Sequence, residues 1–101
     1  MRYEVRWLKQ AAEDLQSIRE YLDQEAPCQA REIVNLLYDS AMALKNFPNG
    51  RGQREPERPA YRRLIILKIY KVIYRVNESQ KTVEIRHIRH TSQGEMSLYE
   101  D

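Results

Sequence analysis

Tyr61-Arg62-Arg63-Leu64-Ile65-Ile66-Leu67-Lys68-Ile69-Tyr70-Lys71-Val72-Ile73-Tyr74-Arg75-Val76 is the stretch on which the fold turns. It is rich in β-branched and aromatic residues, which suit a pleated, half-buried surface. In its second half Tyr70, Val72, Tyr74 and Val76 fall on one face, and Ile69, Lys71, Ile73 and Arg75 on the other. That period of two predicts a strand. A tight connection is expected at Lys68-Ile69 and a second at Asn77-Glu78-Ser79-Gln80. Thr82 to His90 makes the next strand, with Val83, Ile85 and His87 on one side. Ile88 breaks that parity, so a bulge or bend is expected near the strand's end. Three strands joined by short turns form an antiparallel meander.

Upstream the period changes. Tyr3 to Trp7 alternates apolar and charged residues, as a short strand does. Leu8, Ala11, Ala12, Leu15, Ile18, Tyr21 and Leu22 then recur at three- and four-residue steps, which predicts an amphipathic helix. Glu25-Ala26 reads as a turn and Pro27 as the start of a second helix, where its fixed φ is tolerated. Ala30, Ile33, Val34, Leu37, Ala41 and Leu44, with Tyr38 a further candidate, form the second apolar stripe, which ends before Asn46-Phe47-Pro48-Asn49-Gly50. The short connection makes the helices an antiparallel hairpin. Residues 48–60 hold three of the four prolines and read as a long loop. The expected order is β-α-α-β-β-β: an α+β, two-layer domain with the helices on one face of the sheet and the first strand at an edge or in the middle. Residues 1–101 are read as one domain, with 92–101 a mobile polar tail.

Composition narrows the function. A chain of 101 residues with 42% apolar and 32% charged residues can bury one modest core. No apolar run exceeds four residues, so no membrane helix is expected, and the charged N-terminus does not read as a signal peptide. With the single cysteine, Cys28, neither an intrachain disulfide nor a Cys-based zinc site is available. A small reduced cytoplasmic domain is the default. The net charge of +2 hides an asymmetry: residues 51–90 carry eleven cations against four carboxylates. Such a segment suits a polyanion or an acidic partner, or equally a solvated sheet face.

No phosphate loop, metal-binding helix motif or nucleophile elbow is present in the sequence. His87 and His90 are three apart on a strand and should face opposite sides, so no shared metal site is expected. Arg62, Arg63, Lys68, Lys71, Arg75, Arg86 and Arg89 lie on adjacent expected strands with Tyr61, Tyr70 and Tyr74 between them. Cations for phosphate and tyrosines for bases are the parts of a metal-free ribonuclease, though Tyr70 and Tyr74 equally suit core packing.

Several phrases resemble one family. Ala12-Glu13-Asp14-Leu15-Gln16-Ser17-Ile18, followed by Tyr21-Leu22, resembles the first helix of the RelE/ParE superfamily of toxins. Phe47-Pro48-Asn49-Gly50-Arg51-Gly52 is similar to its helix exit, Tyr61-Arg62-Arg63-Leu64 to a strand start, and Tyr70 to Val76 and Val83 to His90 to its later strands. The order and spacing of these phrases over about residues 3–93 carry the resemblance. It implies a toxin of a type II toxin–antitoxin system, or plasmid stabilisation protein, held inactive by a cognate antitoxin and needing no cofactor or metal. It leaves open a homodimer or a toxin–antitoxin hetero-oligomer.

RelE-like members cleave mRNA on the ribosome as mRNA interferases; ParE-like members poison DNA gyrase. A RelE-like reading assigns catalysis to Arg63, Lys68, Lys71 and His90. Yet the arginine expected past the last strand is missing from His90-Thr91-Ser92-Gln93, and the mid-strand arginine is replaced by Lys71. Glu55 or Glu57 with Arg63 and His90 could mimic another ribonuclease branch. The resemblance therefore favours a ParE-like toxin, with Arg62, Arg63, Arg86, Arg89 and Trp7 contacting antitoxin or target.

Overall fold

A computed structural model describes residues 3–48 and 52–90. The chain runs as strand β1 (Glu4–Trp7), helix α1 (Lys9–Glu25), helix α2 (Pro27–Met42), a 3-10 turn (Ala43–Lys45), and strands β2 (Gln53–Arg54), β3 (Arg62–Ile66), β4 (Tyr70–Asn77) and β5 (Thr82–His90). The strands form one sheet in the order β1-β5-β4-β3-β2. The α+β reading and the β3-β4-β5 meander hold. The first strand takes the edge, and it pairs parallel to β5 from Glu4↔Thr82 to Trp7↔Ile85. The expected tail at 92–101 lies outside the described residues. Among the described residues no helix is long and apolar enough to cross a membrane.

The apolar stripes explain the packing. Ala11 of α1 and Leu37 and Ala41 of α2, with Leu44 of the 3-10 turn, meet Tyr70, Val72, Tyr74, Val83, Ile85 and Ile88 of the sheet in one core. Each large side chain so buried contributes about 1.5–3 kcal/mol of hydrophobic free energy. Ala11 and Ala41 are buried where the helices approach the core, as small residues allow. Pro27 does open α2, with one residue, Ala26, between it and the end of α1.

Two local expectations change, and a third, the bulge, is met with one correction. The 48–60 loop contains β2, whose two residues pair with Arg62 and Arg63. Nothing periodic marks so short a strand; backbone pairing alone creates it. The β3–β4 connection is Leu67-Lys68-Ile69, one residue longer than the expected Lys68-Ile69: Leu67 and Lys68 hold φ of 57° and 64°, and the Ile69 N–H donates to the Ile66 carbonyl at 3.2 Å. That is the backbone of a type I′ turn, without the Asn-Gly that usually announces one. The expected bulge in β5 is present: Tyr74 faces Ile85 and Ile73 faces His87, leaving Arg86 as the extra residue. The bulge turns Ile88 into the core beside Ile85, and it sends His87 to the opposite face from Val83 and Ile85.

Candidate functional site

The sheet has one face under the helices and one open face. Register places Arg63, Ile65, Lys71, Ile73, Arg75, Glu84, His87 and Arg89 on the open side of β3, β4 and β5. This side is not simply wet. Lys71, Ile73 and His87 are buried, as is Glu55 from the loop after β2. Glu55 Oε1 lies 3.8 Å from Arg63 Nε. The bulged Arg86 spreads its guanidinium over the Tyr61 ring, 5.1 Å from the centroid. Arg62 turns the other way and donates to the Gly52 carbonyl at 2.7 Å. Gly52 is required there, because a Cβ would stand 2.5 Å from the Arg63 carbonyl oxygen and press on the buried Tyr74 hydroxyl. That hydroxyl donates to the Pro48 carbonyl at 3.3 Å.

A second feature lies where β1 stops. Pairing of β1 with β5 ends at Trp7↔Ile85, and the chain turns into α1. Asp14 of α1 then takes over the β5 edge. Its Oδ2 accepts the Ile88 N–H at 3.0 Å, while Oδ1 accepts from Gln10 Nε2 at 2.8 Å and from Arg89 Nη1 at 3.3 Å. His87 Nδ1 stands 3.9 Å from Oδ2. Beside it opens a cleft of about 360 Å³, lined by Asp14, Ser17, Ile18, Tyr21, Tyr70, Ile88, Arg89 and His90. His90 meets the Tyr70 ring edge-on at 5.5 Å. Burial raises the Tyr70 phenol above its ordinary pKa, and Tyr21 adds to the shift. The Tyr3 hydroxyl donates to the Glu78 carboxylate, which raises the Tyr3 phenol above its ordinary pKa, and Lys81 lies over the Tyr3 ring.

The helical hairpin carries a groove of about 260 Å³ lined by Trp7, Ala12, Leu15, Gln16, Arg19, Val34 and Tyr38. Trp7 stacks on Tyr38 at 5.6 Å and 9°.

The expected residues are thus distributed over several places. Arg63 and Lys71 share the open side of the sheet, the bulged Arg86 lies over Tyr61, and the Arg89 side chain reaches Asp14 at the β5 edge and lines the cleft beside His90. His90 lies on the helix side, opposite Tyr70 and one step from Lys71 across the strand pair. Lys68 sits at the exposed β3–β4 tip. Trp7 belongs to the helical groove. Cys28 is exposed at the start of α2. Among the described residues no group of three or more His, Cys, Asp and Glu side chains is placed to hold a metal ion. Asp14 was not singled out from sequence, although a signal exists: it stands three residues after Ala11 and four before Ile18, inside the apolar stripe of α1.

Residues 5–94 match a family model described as the ParE toxin of the type II toxin–antitoxin system ParDE. No curated protein sequence matches the chain. Among solved structures, a chromosomal ParDE toxin–antitoxin system from P. aeruginosa is similar with a TM-score of 0.74 at 23% identity, covering 87% of this chain and 95% of that one. The RelBE2 toxin–antitoxin complex from Mycobacterium tuberculosis gives a TM-score of 0.69 at 22% identity, covering 89% of this chain and 99% of that one. An archaeal RelE–RelB complex from Pyrococcus horikoshii OT3 gives 0.55 at 22%, covering 93% and 100%. At such identities the likeness is one of fold.

Proposed function

Because the chain belongs to the ParE toxin family of type II toxin–antitoxin systems, we propose that it arrests growth in the cytoplasm by acting on DNA gyrase, without catalysis of its own, until an antitoxin binds it. The observation that carries this reading is the separation of the residues a ribonuclease would have to combine. A metal-free ribonuclease needs a base, a cation and an acid around one scissile phosphate. Here Arg63 and Lys71 lie on the open side of the sheet, His90 lies on the helix side against Tyr70, and Lys68 is at the hairpin tip. A backbone-thick sheet stands between Arg63 and Lys71 and the histidine, whose own cleft is lined by Arg89.

The antitoxin reading uses what remains. The partner is an acidic, amphipathic segment that folds on binding. Its apolar residues lie along the groove edged by Trp7 and Leu15, and its carboxylates reach Arg62, Arg63, Arg86 and Arg89. Trp7 is preorganised for such a contact by its stack on Tyr38.

The test is induced expression without any partner, with plasmid supercoiling and protein synthesis followed in parallel. Loss of supercoiling and broken DNA while translation continues is the expected result. Immediate translation arrest with cut mRNA overturns it and points instead to Lys71 and His90.

A further inference from the structure

The β3–β4 hairpin tip combines two costs in one place. Leu67 and Lys68 both hold left-handed backbone, at φ of 57° and 64°. For L-residues other than Asn and Asp this conformation costs roughly 1–2 kcal/mol each. The same tip exposes aliphatic side chains: Ile65 is 46% exposed, Leu67 52% and Ile69 38%. Asn-Gly at the turn and threonines beside it would relieve the strain and the exposure without touching the core. Strain held at an exposed position is a pointer to function.

The charge around the tip says what it meets. At the tip itself the exposed charge is Lys68, and from Tyr61 to Val76 the sequence has no carboxylate; Lys71 is buried, and Arg62 and Arg63 are engaged by the Gly52 carbonyl and Glu55. A second copy docked tip to tip would bring Lys68 against Lys68. Nucleic acid would take the cation and offer nothing to three aliphatic side chains. A membrane interface is ordinarily gripped by aromatic residues, and the turn and its flanks from Ile65 to Ile69 carry none. We infer that this tip is the toxin's target-contacting element, inserting Ile65, Leu67 and Ile69 into an apolar pocket of a protein whose rim carries carboxylates for Lys68. The inference rests on the toxin reading above and adds a surface distinct from the groove and arginines given to the antitoxin.

The experiment uses the full chain with Leu67→Asn and Lys68→Gly together, and separately with Ile65→Thr and Ile69→Thr. Growth arrest on induction, the melting temperature and binding to purified DNA gyrase are measured for each. The expected result is a turn variant that melts at or above the parent temperature yet arrests growth and binds gyrase about tenfold more weakly or less. Arrest equal to the parent's by both variants overturns the inference. So does parent binding to phosphatidylglycerol vesicles that is lost in the variants, which makes the tip a lipid contact. The gyrase reading fails separately: a parent that arrests growth with supercoiling intact removes gyrase as the target, while the tip still stands or falls on the arrest it causes.

Discussion

At Gly52 the smallest possible change meets two walls, the Arg63 carbonyl oxygen of β3 and the buried hydroxyl of Tyr74. Gly52→Ala forces one of them to move, and the backbone is the stiffer. Overpacking of this kind costs about 1–3 kcal/mol, visible as a lower urea midpoint. Asp14 is the complementary case. Removing its carboxylate in Asp14→Ala leaves the Ile88 N–H without its acceptor and takes away the Arg89 ion pair. A loss of about 1–3 kcal/mol is expected for such an orphaned buried group, with hydrogen exchange at the Ile88 amide speeding up more than at Val72. Tyr70 gives a pH prediction. Burial raises its folded-state pKa, so the neutral phenol is held in the native state. Both states are neutral below about pH 10, and the full stability is present there. As pH rises the unfolded chain ionises first, and stability falls through the folded pKa. Tyr70→Phe should flatten the decline in unfolding midpoint above about pH 10; an equally steep decline in the variant assigns it to other tyrosines.

The elements were readable from sequence wherever their period was long enough to repeat. The stripes of α1 and α2 and the alternation of β4 predicted those elements close to their observed bounds, and Pro27 marked the break between the helices. The turns were less readable. Leu67-Lys68 adopts a type I′ backbone without glycine or asparagine, because the pairing of β3 with β4 on either side imposes the geometry on residues that disfavour it. That conflict yields an element-scale prediction independent of any partner: Leu67→Asn with Lys68→Gly should raise stability by about 1 kcal/mol or more, measured by chemical denaturation. A fall in stability would mean that the Leu67 side chain packs more than its exposure indicates. β2 was invisible because two residues cannot display a period. The β5 bulge was visible only as Ile88 out of phase; which residue is extra, Arg86, was set by the partner strand.

For the whole molecule, the consequence of the fold is a division of charge. Most of the basic residues from 51 to 90 go to the sheet and its loops, away from the helices that bury its other face. If an acidic antitoxin segment reaches Arg62 and Arg63, their joint replacement by alanine should weaken the complex and reduce the dependence of its affinity on ionic strength. A titration at two salt concentrations checks this, and an unchanged affinity and salt slope removes these arginines from the contact. Arg62 also donates to Gly52 and Arg63 lies beside Glu55, so the same variant is expected to lose some stability alone. Melting the free protein separates the two effects.

The sequence by itself determined the order of elements, the helical hairpin, the meander and the family resemblance, because each is written in local periodicity and in the spacing of short phrases. It also determined that the second half is cationic. Only the tertiary structure decided that β1 lies parallel to β5 at the edge, that Asp14 completes the β5 edge where β1 ends, and that Lys71 and His90, neighbours across two strands, face opposite sides of the sheet. These facts depend on pairing between residues as many as 78 positions apart, such as Glu4 and Thr82, and on a bulge that reverses side-chain direction at one residue. A one-residue change of register exchanges the two faces of a strand, so the sequence could name the charged residues without saying which of them stand together.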